Sequence, residues 1–195
     1  MADLILGPTE TAQWHALIAE AQAHCGQSLP EDLESYLVFL LQRYTDKPDV
    51  TKSILAMDYL HSCESHGELK RLKLRDVGDK CLLFSGLFPE HAERKQVNVT
   101  YFIQLGQNAY AVLSSLHSSK AGLADLYELL GEEFVRLMKL LHCIRELGHR
   151  ELNLSPLQAE ELWCSTGSEQ ALRALKRYTD ALPVSLFSSR KYFSH

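Results

Sequence analysis

Little in this chain breaks, links or punctuates a fold. It has only 10 Gly and 6 Pro in 195 residues, so long structureless linkers are not expected. No Asn-Gly or Asp-Gly hairpin dipeptide occurs and no segment repeats, which excludes β-sandwiches and solenoids as natural readings. The five cysteines (Cys25, Cys63, Cys81, Cys143 and Cys164) include no CxxC pair. An odd, scattered set of this kind reads as small buried hydrophobes in a reduced, cytoplasmic protein, not as a disulfide framework. The N-terminus lacks a basic region followed by an apolar run, so no signal peptide is expected. The most apolar stretch, Leu137 to Leu147, is interrupted by Lys139, His142, Arg145 and Glu146. That falls short of the roughly 20 apolar residues of a membrane span. Also missing are GxGxxG, GxxxxGK[ST] and GxSxG, which removes the familiar nucleotide-binding and serine-hydrolase classes.

What is present is a string of amphipathic helical patterns. Hydrophobic residues make up 46% and charged residues 23%, the balance of an ordinary globular domain. Ser28-Leu29-Pro30-Glu31 is the clearest helix start, with a hydroxyl cap, Pro in the first turn and Glu three residues on. It opens a helix to about Asp46, preceded by one over Thr11–His24 that stops at Gly26 and followed by one over Asp49–His66. Gly78, Gly86 and Pro89 punctuate the stretch from Glu68 to Arg94, which reads as short helices with a brief strand as the competing assignment. Further helices are expected over Asn98–His117, over Ala121–Leu147 with a weak point at Gly131, from Ser155-Pro156 to about Trp163, and from Ser168 to about Leu182. The expected architecture is an all-α, single-domain bundle of about seven or eight helices spanning 1–182, with 183–195 as a tail that docks or mediates self-association.

Between Leu83 and Tyr110 the wording is distinctive: Leu83-Phe84-Ser85-Gly86-Leu87-Phe88-Pro89-Glu90, Val97-Asn98-Val99-Thr100-Tyr101-Phe102-Ile103, Gly106, then Ala109-Tyr110. Trp163 followed by Thr166-Gly167-Ser168 is a second landmark. Together these resemble a family of small bacterial all-helical proteins of about this length and of uncharacterised activity, in which a Ser-Gly-Phe-Phe turn precedes a tyrosine-bearing helix. At the two places where that pattern often has a second aromatic, this chain has Leu87 and Phe102. The resemblance implies the helical fold and carries no activity, cofactor or catalytic residue.

Candidate sites must therefore come from the residues. His61-Ser62-Cys63-Glu64-Ser65-His66 invites a zinc reading, yet on a helix Cys63 lies about 200° and His66 about 140° around from His61. His61 with Asp58 and Glu64 is half of a carboxylate–histidine bundle site, on a stripe with Val50, Ile54 and Met57. Glu146-Leu147-Gly148-His149 offers a poor second half, because Gly148 stops the helix. A histidine hydrogen-bonded at a packing edge outweighs the metal reading, so no cofactor is predicted and a metal or organic ligand is the secondary expectation. Phe84, Phe88, Tyr101, Gly106 and Tyr110 form the best ligand-pocket candidate. A glycine in mid-helix costs about 1 kcal/mol, so Gly106 implies close approach by a helix or a ligand, with a helix the preferred reading. Buried tyrosine hydroxyls need partners, for which Asn98, Gln104 and Ser85 are available.

Charge is segregated. Met1–Gln42 carries six acids and no Lys or Arg, whereas Lys70, Arg71, Lys73, Arg75 and Lys80 cluster, and Arg173, Lys176 and Arg177 open a second basic stretch. Converging patches would suit nucleic acid, but no reading-helix spacing accompanies them, and pairing with the acidic N-terminal third is the preferred account. The leading expectation is a non-enzymatic cytoplasmic protein acting by protein–protein contact, as a regulatory or accessory partner, with a homodimer as one form of that contact. The alternative is a small-molecule or metal-binding protein, enzymatic or not, with its site between the 49–66 and 98–117 helices. Nucleic-acid binding through the basic clusters is the third, and no membrane is expected.

Overall fold

Local capping sets the first boundaries. The Thr9 side chain accepts the Ala12 N–H, opening α1 (Glu10–Cys25), and Gly26 at φ 61° closes it in the left-handed region that favours glycine. In the computed structural model, which describes residues 9–45, 55–89, 98–118, 120–148 and 156–178, eight more helices follow. They are α2 (Glu31–Thr45), α3 (Leu55–Glu64), α4 (Gly67–Gly86), α5 (Val99–Leu116), α6 (Ala121–Glu132), α7 (Phe134–Leu147), α8 (Pro156–Thr166) and α9 (Glu169–Lys176). No strand occurs among the described residues, so the chain is an all-α bundle. None of the described helices is long and apolar enough to cross a membrane. Asn98 and Ser168, where helices were expected to start, accept the Thr100 and Ala171 N–H groups as N-caps. The segment 183–195, expected to form a tail, lies outside the described residues.

Every helix contributes to one core. Leu33, Leu37 and Leu40 of α2 are fully buried with Leu74 and Leu82 of α4, Leu113 of α5, Leu130 of α6, and Phe134 and Leu137 of α7. Leu55 of α3, Ala159 and Leu162 of α8, and Ala171 and Leu175 of α9 belong to the same cluster. Each such side chain contributes about 1.5–3 kcal/mol on leaving water. At the centre, α4 packs on α3, α5 and α7, while α1 packs on α2 and α7.

The structure departs from the expected pattern in three places. Residues from Gly67 to Gly86 make one continuous helix, not short pieces or a strand. Gly78 does not punctuate it: a Cβ there would come within 2.7 Å of the Tyr110 ring, so glycine is what lets α5 close on α4. Conversely, the Ala121–Leu147 pattern is two helices that part at Glu133, which raises the count above seven or eight. Gln107 of α5 donates to the Gly131 carbonyl, and Phe134 turns fully into the core just beyond. Finally, Cys25 and Cys143 are joined as a disulfide that ties α1 to α7 across 118 residues of sequence, so these two are not simple buried hydrophobes.

Candidate functional site

The most concentrated chemistry lies in mid-α4, in Arg75-Asp76-Val77-Gly78-Asp79-Lys80. Asp79 is fully buried. Its Oδ1 accepts the Tyr36 hydroxyl at 2.5 Å and the Tyr110 hydroxyl at 2.9 Å, and its Oδ2 accepts Arg43 Nη1 at 2.8 Å. Tyr36 and Arg43 sit seven residues apart on one face of α2, so two turns of one helix bring both donors to one carboxylate. Tyr110 comes from α5, its ring edge-on to Tyr36 with centroids 6.5 Å apart. One turn away on α4, Asp76 accepts the Tyr44 hydroxyl at 2.7 Å and pairs with Lys80 at 2.6 Å, and Lys80 also faces Asp58 of α3 at 3.7 Å. The charge of Arg75 bears on Tyr127 and Asp79.

Burial pushes Asp79 above the usual carboxylate value, while Arg43 and the two hydroxyls pull it back. Burial and the neighbouring Asp79 raise Tyr36 and Tyr110 well above the ordinary phenol value, so both stay protonated donors at neutral pH. With both carboxylate oxygens filled by donors, this centre holds α2, α4 and α5 in register. It does not present a base or nucleophile to solvent.

A second buried polar point lies at the C-terminus of α4. His142 of α7 is fully buried and its Nε2 lies 2.9 Å from the Ser85 carbonyl. A carbonyl only accepts, so Nε2 carries the proton and Nδ1, which has no hydrogen-bond partner, is the bare lone pair. Arg145, one turn on, donates to the Leu87 carbonyl at 3.0 Å. Two side chains of α7 thus satisfy carbonyls at the end of α4. Burial lowers the His142 pKa to about 4.

The sequence candidates fall differently. Asp58 turns to Lys80 on α4, while His61 and Glu64 are exposed, so the three do not converge; Met57, expected on an inward stripe with His61, is exposed too. The reason is that Leu55 and Ser62, not that stripe, make the buried side of α3. Among the described residues no three His, Cys, Asp or Glu side chains gather as a metal site would require. The pocket candidates are mostly packing. Phe84 is buried with its ring 5.8 Å from that of Phe102, Phe88 and Tyr101 are partly exposed, and a Cβ at Gly106 would overlap the Phe134 ring and Cys81. Only Tyr110 enters a polar centre, and its hydroxyl partner is Asp79 instead of Asn98, Gln104 or Ser85. The third helix and the Asn98–His117 helix, between which a site was expected, are bridged by α4. Both pack on α4, whose successive residues Asp79 and Lys80 turn to α5 and α3 respectively.

The basic clusters stay apart. Arg71 donates to Glu68 and to the Leu116 carbonyl, Lys73 donates to Ser65, and Lys70 lies beside them near the N-terminus of α4. Arg173 approaches Glu146 and Glu169, with Lys176 exposed on the same short helix and Arg177 exposed at its C-cap, near the other end of α4. Sixteen helical residues, roughly 24 Å, separate Arg71 from Leu87 at that far end. Among the described residues, the acids paired with Arg71 and Lys80 of the first cluster are those of its own hairpin, Glu68, Asp76 and Asp58.

Asp79 itself was missed, because a lone Asp in a charged run looks solvated. The available signal was Tyr36 and Arg43 at a seven-residue spacing on an otherwise apolar helix face, opposite a Gly in mid-helix. No family model matches the chain, and neither does any curated protein or solved structure. Fold and centre together define an all-α bundle locked by a buried Asp–Tyr–Tyr–Arg cluster.

Proposed function

We propose that the protein is a non-enzymatic, cytoplasmic interaction module whose α3–α4 hairpin docks an acidic amphipathic helix of a protein partner. The observation that carries this reading is exposed apolar surface. Leu69 and Leu72 stand 55% and 45% exposed one turn apart on α4, and Met57 and Leu60 are similarly exposed on α3. Large apolar side chains clustered along one short stretch of sequence are a mark of contact surfaces. Lys70 and Lys73 flank the α4 pair, which selects an acidic occupant. The buried centre supports the same reading from the other side, since its carboxylate is already saturated.

Site-specific photo-crosslinking at Leu72 tests it. The expected product is one discrete adduct whose attached peptide, identified by mass spectrometry, carries acids alternating with apolar residues at helical spacing. Leu69→Glu should abolish that adduct, and the isolated peptide should bind the full chain less tightly as salt rises. Adducts no stronger than those from the exposed Leu123 of α6, or adducts to a second copy of the chain, would overturn the reading.

A further inference from the structure

We propose that Cys25 and Cys143 form a thiol–disulfide exchange site for small thiols of the glutathione class, with Cys25 as the entry sulfur, and that its redox state sets how firmly α1 is held on α7. The two Cα atoms are 6.5 Å apart, inside the range a disulfide spans without backbone movement. The pair is asymmetric. Cys25 is partly exposed at the last residue of α1, just before the left-handed turn at Gly26, whereas Cys143 is 1% exposed within α7. An incoming thiolate therefore reaches the Cys25 sulfur and not that of Cys143. The other cysteines are separate: Cys81 is buried on α4, Cys63 is exposed on α3 and Cys164 lies on α8, and all three are free.

The exchange balances with thiols alone. A glutathione thiolate attacks Cys25 Sγ, the Cys25–Cys143 bond breaks, and Cys143 leaves as a thiolate that takes up a proton. A second glutathione thiolate attacks the glutathione sulfur of the mixed disulfide, forming glutathione disulfide and releasing Cys25 as a thiolate that takes up a proton. Two electrons enter the protein, and the reverse sequence, driven by glutathione disulfide, closes the link. The consequence for α1 follows from what the link joins. Ile18 and Ala21 are the buried residues of α1, with Trp14 and Leu17 partly buried; among its polar ties, His15 at 3.2 Å and Gln22 at 3.1 Å meet Glu34 of α2, and Gln22 accepts the Leu29 N–H at 2.6 Å. These ties run toward α2, so the disulfide is the covalent hold of α1 on α7, and α1 opens from α7 more readily once it is gone.

The test uses the full chain equilibrated in glutathione buffers of graded ratio, followed by alkylation, mass spectrometry and amide hydrogen exchange. Oxidation should protect Cys25 and Cys143 alone from alkylation, in one intramolecular link. Reduction should speed exchange across residues 10–25 about tenfold or more while α8 and α9 stay unchanged. In Cys143→Ser, glutathione should add at position 25; in Cys25→Ser, Cys143 should stay unmodified. Should either variant fail to fold, the wild-type comparison alone still decides. A link involving Cys63 or Cys164, alkylation of both residues after oxidation, or equal exchange of α1 in both states would overturn the proposal.

Discussion

Asp79 and His142 are both fully buried polar side chains on long central helices, and the bundle accommodates them in opposite ways. Asp79 sits mid-helix and receives three donors from two other helices, so its charge is held by neighbours that cannot move without unpacking α2 or α5. His142 lies within α7 against the end of α4, donates once to the Ser85 carbonyl and keeps a bare Nδ1, so it is tolerated only as the neutral ring. Burial pushes both toward the uncharged form, raising the acid and lowering the base. What separates them is the number and sign of partners. A saturated buried charge acts as a joint, whereas an under-satisfied buried base becomes a point of weakness in acid.

The strongest way to break the joint is Asp79→Ala, which strands Arg43 and two buried hydroxyls. A loss of about 3–5 kcal/mol is expected, read as a lower urea midpoint at pH 7; a loss under about 1 kcal/mol would show that the cluster is not a joint. The second effect belongs to His142. An unfolded histidine takes a proton near 6.5, the buried one not until about 4, so between those values the unfolded chain binds more protons. The stability from the neutral ring is complete above pH 6.5 and is lost as pH falls toward 4, by about 3 kcal/mol. His142→Gln, which keeps a donor but does not titrate, should flatten that limb of the difference curve; parallel curves would refute the assignment.

Two smaller changes sharpen the contrast within the Asp79 centre. Gly78→Ala puts a methyl against the Tyr110 ring and should lower stability by about 2 kcal/mol despite the better helix propensity. A neutral or stabilising result would mean that α4 and α5 can part without loss. Tyr36→Phe removes one donor while Tyr110 and Arg43 still serve the carboxylate, so about 1.5 kcal/mol is expected. Because Tyr36 and Tyr110 share one oxygen, the double Phe variant should exceed the sum of the singles in denaturant titrations; strict additivity would make the two bonds independent.

Periodicity and caps were legible in the chain itself. Amphipathic stripes, Ser168 at the start of the last helix and Gly26 as a stop are local features, and local geometry decides them; the caps Thr9 and Asn98 are equally local. The fold class followed from the same signals. Gly106 was legible as a point of close helix approach, and Phe134 of α7 and Cys81 of α4 close on it. Gly78 was not, because a glycine that ends a helix and one that admits a neighbouring ring look alike in a charged run until the neighbour, here Tyr110, is placed. The neighbours of Asp58 and His61 were hidden for a related reason. Asp58 and His61 share a helix, but α4 packs on only one side of it and took Asp58 for Lys80.

By itself the sequence determined that this chain is a helical bundle, and where most helices begin and end, because capping and 3.6-residue patterning act within a few residues. Only the tertiary structure decided that Asp79 would be enclosed by Tyr36, Arg43 and Tyr110, that His142 would close the end of α4, and that Cys25 would meet Cys143. Each of those contacts joins residues 31 to 118 positions apart. They depend on which faces of which helices meet, and that choice is made by the packing of the whole core.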